Sequence, residues 1–158
     1  MIILGIDPGL NNTGYGLVKI EKDRISAVNY GCIANNISET FTDKIKRIHL
    51  KINHLIKSYS PQEIVLEEIF FSKNIRSALN VGKVVGVVAL TATLLEIDFF
   101  VYTPLQIKLS VVGYGRASKL QVQEMVKILL SLPEKPDTDH AADALAVAIC
   151  HIHNKHSY

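Results

Sequence analysis

The sequence predicts an α/β protein built on a mixed sheet, and three observations lead there. Three β-favouring runs follow one another near the N-terminus with short connections. Shorter apolar runs then alternate with helical patterns, and two further helical patterns close the chain. Residues 2–6 (IILGI) are apolar throughout, as expected of a strand buried on both faces, and Asp7-Pro8-Gly9 stops them. Residues 15–20 and 25–33 make two more strands around the charged turn of Glu21, Lys22, Asp23 and Arg24, which suggests an antiparallel meander.

From about residue 42 to 58, Ile45, Ile48, Ile52, Leu55 and Ile56 recur at three- and four-residue steps with lysines between them, the pattern of an amphipathic helix. Ser60-Pro61 ends it. Residues 64–66 (IVL) form a buried strand running into Glu67-Glu68, and residues 77–95 a helix of small and apolar residues. Residues 99–102 are the next strand, and Pro104 opens a short helix. A glycine-rich loop spans 112–117, and Ser118 with Gln121 forms a capping box for a helix whose apolar side is Leu120, Met125, Val126, Leu129 and Leu130. Pro133 and Pro136 bracket a turn. The last helix starts near Thr138 with Leu145, Ile149 and Ile152 on its core face, and His151, His153 and His156 are expected at a frayed, solvated end.

The chain has 158 residues, 48% hydrophobic and 20% charged, which fits one folded domain over residues 1–158 and excludes a disordered chain. Cys32 and Cys150 lack metal-ligand spacing and are expected as free core thiols. No basic leader precedes Asp7, and the apolar stretch 84–95 is shorter than the roughly 20 residues of a membrane span, so a cytoplasmic protein without a membrane segment is expected. A net charge of +2 does not by itself announce nucleic acid. Lys73 and Arg76 in one acid-free run, and Lys108, Arg116 and Lys119 in another, are the candidate DNA contacts; their bland alternative is solvated surface.

The acids are more informative. Asp7 and Glu67 each end a buried strand, where a carboxylate is costly unless it is ligated or hydrogen-bonded. Asp139, His140 and Asp143 fall in the first turns of the last helix and share one face. Turn chemistry accounts for an Asp-Pro-Gly, and the helix dipole accounts well for Asp139 but less well for Asp143, in the second turn among alanines. Such a set is suited to Mg²⁺ or Mn²⁺, with His140 as a further ligand or a proton carrier.

Taken together, residues 5–9 (GIDPG), 13–16 (TGYG), 67–74 (EEIFFSKN), 77–79 (SAL) with Gly82, 112–119 (VGYGRASK) and 140–146 (HAADALA) resemble the RuvC Holliday-junction resolvases over nearly the whole chain. The resemblance implies a ribonuclease H-like fold, a mixed five-stranded sheet with helices on both faces. It also implies a homodimer that binds four-way junction DNA and makes paired symmetric nicks in two opposed strands, in homologous recombination and DNA repair. Two Mg²⁺ ions per active site are implied, with Mn²⁺ able to substitute, as are the branch-migration proteins RuvA and RuvB as partners.

The family's acidic site maps onto Asp7, Glu67 and Asp143, as catalytic residues and metal ligands. Its fourth position falls on His140, where many relatives carry aspartate and some histidine, and Asp139 is the competing neighbour. Glu68 stands where many relatives have glutamine. Phe70 matches an aromatic that stacks on unpaired bases, Lys108 and Lys119 match basic positions near the cut, and the helix 77–95 resembles the dimer-interface helix. Three other readings remain. One is a four-way-junction-binding protein without cleavage activity; another is a nucleotide-binding relative of actin-like ATPases, which open on a motif like GIDPG but need a larger two-lobed cleft. The third is a ribonuclease H-like nuclease acting on RNA, which the RuvC-like loop 112–119 disfavours.

Overall fold

The computed structural model describes residues 1–22, 24–68 and 75–155, excluding the side chains of Ile75 and Arg76. Five strands form one mixed sheet: β1 (Ile2–Asp7), β2 (Asn12–Glu21), β3 (Arg24–Ala34), β4 (Glu63–Glu67) and β5 (Asp98–Tyr102). Their order is β3-β2-β1-β4-β5. The meander predicted from residues 2–33 is present, since β1, β2 and β3 pair antiparallel. β4 and β5 then add in parallel on the other side of β1. Parallel neighbours need crossovers, which α1 (Phe41–Tyr59) and α2 (Ile75–Leu94) supply.

Alternation along the strands splits the core in two. Leu4, Ile6, Leu17, Ile64 and Leu66 face α1 and α2, where Ile48, Ile52, Val84 and Val88 meet them. Ile3, Val18 and Val65 face α3 (Pro104–Val112), α4 (Lys119–Leu129) and α5 (Asp139–Lys155). Helices thus cover both faces, as expected. Capping boxes at Thr103/Gln106 and Ser118/Gln121 start α3 and α4, and Gly113 in the left-handed region ends α3.

Three expectations need correction. α5 does not fray at His151, which is fully buried, while His153 Nδ1 lies 3.0 Å from the Ser110 carbonyl; His156 lies outside the described residues. A helix that must cross a sheet buried on this face stays ordered as far as the sheet needs it. Leu120 is exposed, because α4 buries the stripe through Val122 and Val126 instead. Of the two free cysteines, Cys150 is buried but Cys32 only half so.

The central helix α5 lies directly on β1 and β2. A Cβ at Gly5 would sit 2.0 Å from the Ala144 carbonyl oxygen, and one at Gly14 only 1.9 Å from that of His140. Both lie far inside contact distance, so these two positions admit only glycine at the observed helix height. Gly5→Ala is expected to lower the unfolding free energy by about 2–3 kcal/mol. Urea titration checks this; an unchanged midpoint with unchanged slope would mean that α5 has room to rise.

Candidate active site

Asp7 closes β1 and Glu67 closes β4, and these strands are parallel neighbours with Ile6 opposite Leu66. Both carboxylates therefore leave the same end of the sheet. Asp7 lies four positions beyond Ile3 and Glu67 two beyond Val65, so both side chains point to the α5 face. Gly14, opposite Asp7, lets the first turn of α5 come down beside it.

His140 Nδ1 lies 2.7 Å from Asp7 Oδ2. Asp143, one turn on, has Oδ2 2.9 Å from Lys119 Nζ. The same ammonium is 3.4 Å from Asp139, which accepts from Gln123 Nε2 at 2.7 Å. Of the two candidates for the fourth position, His140 turns to Asp7 and Asp139 turns to α4. Glu67 and Asp143 share a cleft of about 260 Å³ with Lys108 and Lys119, above an apolar lining of Pro104, Ile107, Val122 and Ala146. Arg116 is exposed on the connection between α3 and α4. Phe70 and Lys73 lie outside the described residues, as does the side chain of Arg76.

The acids are crowded enough to oppose one another's ionisation. Burial, then the charges of Asp7 and Asp143, push Glu67 up to about 7. Burial also raises Asp7, against the hydrogen bond from His140, and the Asp143 charge adds to the rise. Lys119 answers part of this charge: burial pulls its pKa down, but the contacts with Asp143 and Asp139 outweigh that and leave it raised.

Hard oxygen donors, mutually repelling and only partly neutralised by Lys119 and Lys108, suit a divalent cation. Among the described residues no three His, Cys, Asp or Glu groups stand close enough to enclose an ion by themselves. The set fits an open site whose remaining ligands would be supplied from outside the chain, as Mg²⁺ usually takes them.

The sequence profile of the family described as crossover junction endodeoxyribonuclease RuvC matches residues 3–151. The chain belongs to the RuvC family. It is 52% identical over 151 residues to the crossover junction endodeoxyribonuclease RuvC of Ruminiclostridium cellulolyticum, covering 96% of this chain and 91% of the relative. The protein of the same name from Alkaliphilus metalliredigens is 47% identical over 156 residues, covering 99% and 95%. Among solved structures, RuvC of Thermus thermophilus in complex with a Holliday junction substrate superposes with a TM-score of 0.93 at 30% identity, covering 98% of this chain and 94% of that one. The fold is thus the ribonuclease H-like fold of that family.

Sequence reasoning did not single out Gln123, which holds Asp139 away from the other acids; a glutamine on an exposed helix face carries no signal of that kind. The raised pKa of Glu67 has a consequence for stability. Folding favours its neutral form, so its contribution is present below the ordinary carboxylate pKa and is lost as pH rises through about 7. In chelator at pH 8, Glu67→Gln is expected to be more stable than wild type by roughly 1–3 kcal/mol, with the gap closing toward pH 5. Melting curves across that range check it; a gap independent of pH would contradict the crowding of the acids.

Proposed function

We propose that this protein resolves Holliday junctions by paired, metal-assisted nicks in two opposed DNA strands, acting in recombination and repair as a single nuclease domain. The observation that carries the reading is the grouping of Asp7, Glu67, Asp143 and His140 at one sheet end beside two lysines, in a chain of the RuvC family. Asp7, Glu67, Asp143 and His140 are the residues that would hold the ions, two per site, Mg²⁺ with Mn²⁺ able to substitute. When bound, a pair of such ions stabilises the attacking and leaving oxygens of an in-line phosphoryl displacement.

The remaining work falls to the chain's own groups. Asp7 engages His140 Nδ1, which orients the ring and leaves Nε2 as the nitrogen for a ligand or a proton. Lys119 and Lys108 line the cleft with their charge and offset the negative charge that develops on the phosphate. Lys73, Arg76 and Arg116 hold the DNA arms through phosphates. Phe70 stacks on a base at the branch point.

A homodimer supplies the second cut: two-fold protein symmetry matches the two-fold junction, and each subunit nicks one strand. The α2 surface supports that assembly, because Leu79, Leu90 and Leu94 are exposed on it at 61%, 59% and 69%. The same helix is apolar and long enough to pass as a membrane span over Ser77–Leu94, but Val84, Val88 and Ala92 on its other side are fully buried against the sheet. RuvA and RuvB are the expected partners and the cytoplasm the expected compartment, where the DNA is.

The test is cleavage of a synthetic four-way junction with Mg²⁺ and with chelator, beside duplex and RNA–DNA hybrid controls. Symmetric paired nicks on the junction alone, lost in chelator, are expected; tight binding without nicks in Mg²⁺ would point to a junction-binding protein instead. Alanine at Asp7, Glu67 or Asp143 is expected to lower the cleavage rate at least a thousandfold, on the order of 4 kcal/mol in the barrier, and to leave junction binding in place. Near-wild-type cutting by any one of them would remove that residue from the site. Phe70→Ala should slow cutting of intact junctions more than it weakens binding.

A further inference from the structure

Away from the cleft, a second polar group lies buried on the same face of the sheet. His151 has no exposed surface, and Glu63 is 6% exposed. His151 Nε2 is 2.6 Å from Glu63 Oε2, and its Nδ1 is 2.8 Å from the Tyr102 hydroxyl. The Lys155 ammonium bonds the other Glu63 oxygen and lies 4.2 Å from the centre of the Phe100 ring. An ionised Glu63 only accepts, so Nε2 must carry its proton. Nδ1 then shares a hydrogen bond with the Tyr102 hydroxyl. The three side chains therefore form one hydrogen-bonded chain of Tyr102, His151 and Glu63.

Three elements are closed into a loop by it. Glu63 opens β4, and Glu67 ends the same strand. Tyr102 ends β5 directly opposite Glu67, and its carbonyl accepts from the Glu68 N–H at 2.8 Å. His151 sits on α5 eight residues beyond Asp143. Four strand steps span about 13 Å, and eight helix steps about 12 Å. β4 runs toward the cleft and α5 runs away from it, so the strand and the helix are two sides of nearly equal length. Pinning His151 to Glu63 at one end brings Asp143 level with Glu67 at the other, and Tyr102 braces the diagonal.

We propose that the buried Glu63–His151–Tyr102 chain is the alignment device that sets Asp143 against Glu67, and so tunes cation affinity from two helical turns away. This rests on the reading of Glu67 and Asp143 as ion-holding residues. These are positioning residues, since none of the three side chains lines the cleft. The Tyr102 ring and the apolar packing around it survive removal of the hydroxyl, which makes Tyr102→Phe the informative variant.

Mn²⁺ binding to the DNA-free protein, followed by electron paramagnetic resonance, is the direct readout, with junction cleavage against Mn²⁺ concentration beside it. Tyr102→Phe is expected to raise the Mn²⁺ dissociation constant at least fivefold, with the maximal cleavage rate at saturating Mn²⁺ kept within twofold. Ile52→Val, a core change on α1 across the sheet from the chain, is the control for lost stability, and it should leave the dissociation constant within twofold. Wild-type Mn²⁺ affinity in Tyr102→Phe would overturn the proposal, and so would an equal loss in Ile52→Val. Should Tyr102→Phe not fold, Glu63→Gln is read by the same criteria. Asp143→Asn separates the two levels of inference: if it binds Mn²⁺ like wild type, the ion-site reading falls and takes this proposal with it; if it weakens binding while Tyr102→Phe does not, only the alignment proposal falls.

Discussion

The height of α5 above the sheet is the constraint on which the rest of the structure depends. β1 and β2 carry Gly5, Gly14 and Gly16 on the face that receives the helix, and added side-chain atoms there would fall within 3 Å of Ala144, His140 and Leu145. With those positions bare, the helix backbone rests almost on the strand backbone. Its first turns then bring His140 to Asp7 and Asp143 to the cleft that Glu67 lines. The same seating buries Leu145, Ile149 and His151 completely, so the apolar packing that stabilises the fold also fixes the geometry of the site.

Electrostatics works against the arrangement. Three carboxylates and an imidazole share one sheet end, and Glu67 responds by holding its proton up to about pH 7. Lys119 is the resident counter-charge, spread between Asp143 and Asp139. Packing of α5 and the strand ends supplies the free energy that keeps the like charges together, and a divalent cation would relieve the repulsion. Functional sites commonly carry strain of this sort, compensated elsewhere in the fold.

Much of this was legible in the sequence because the signals were local. Apolar runs, helical periodicity and turn and cap residues located the described strands and helices, and the acids at strand ends marked one edge of the sheet before its order was known. Position relative to those elements pointed to Asp7, Glu67 and the Asp139–Asp143 turn, and the family motifs narrowed that turn to Asp143 and His140. Contacts between distant segments were not legible. Nothing local distinguishes His151 from its neighbour His153, and its burial depends on Glu63 and Tyr102 lying 88 and 49 residues away. The exposed Leu120 was misplaced for a related reason: a helix with apolar residues on two sides does not say which side the core will take.

The central claim is that the seating of α5, rather than the mere presence of the acids, makes the cation site. Gly14→Ala tests it most directly, because it forces the helix up at His140 without altering any charged group. Mn²⁺ affinity is measured for wild type and variant by isothermal titration, at a temperature where both are folded. A loss of at least tenfold, roughly 1.4 kcal/mol, is the expected result. Equal affinity in a folded Gly14→Ala protein would show that the acids find their arrangement without the close approach, and would contradict the claim.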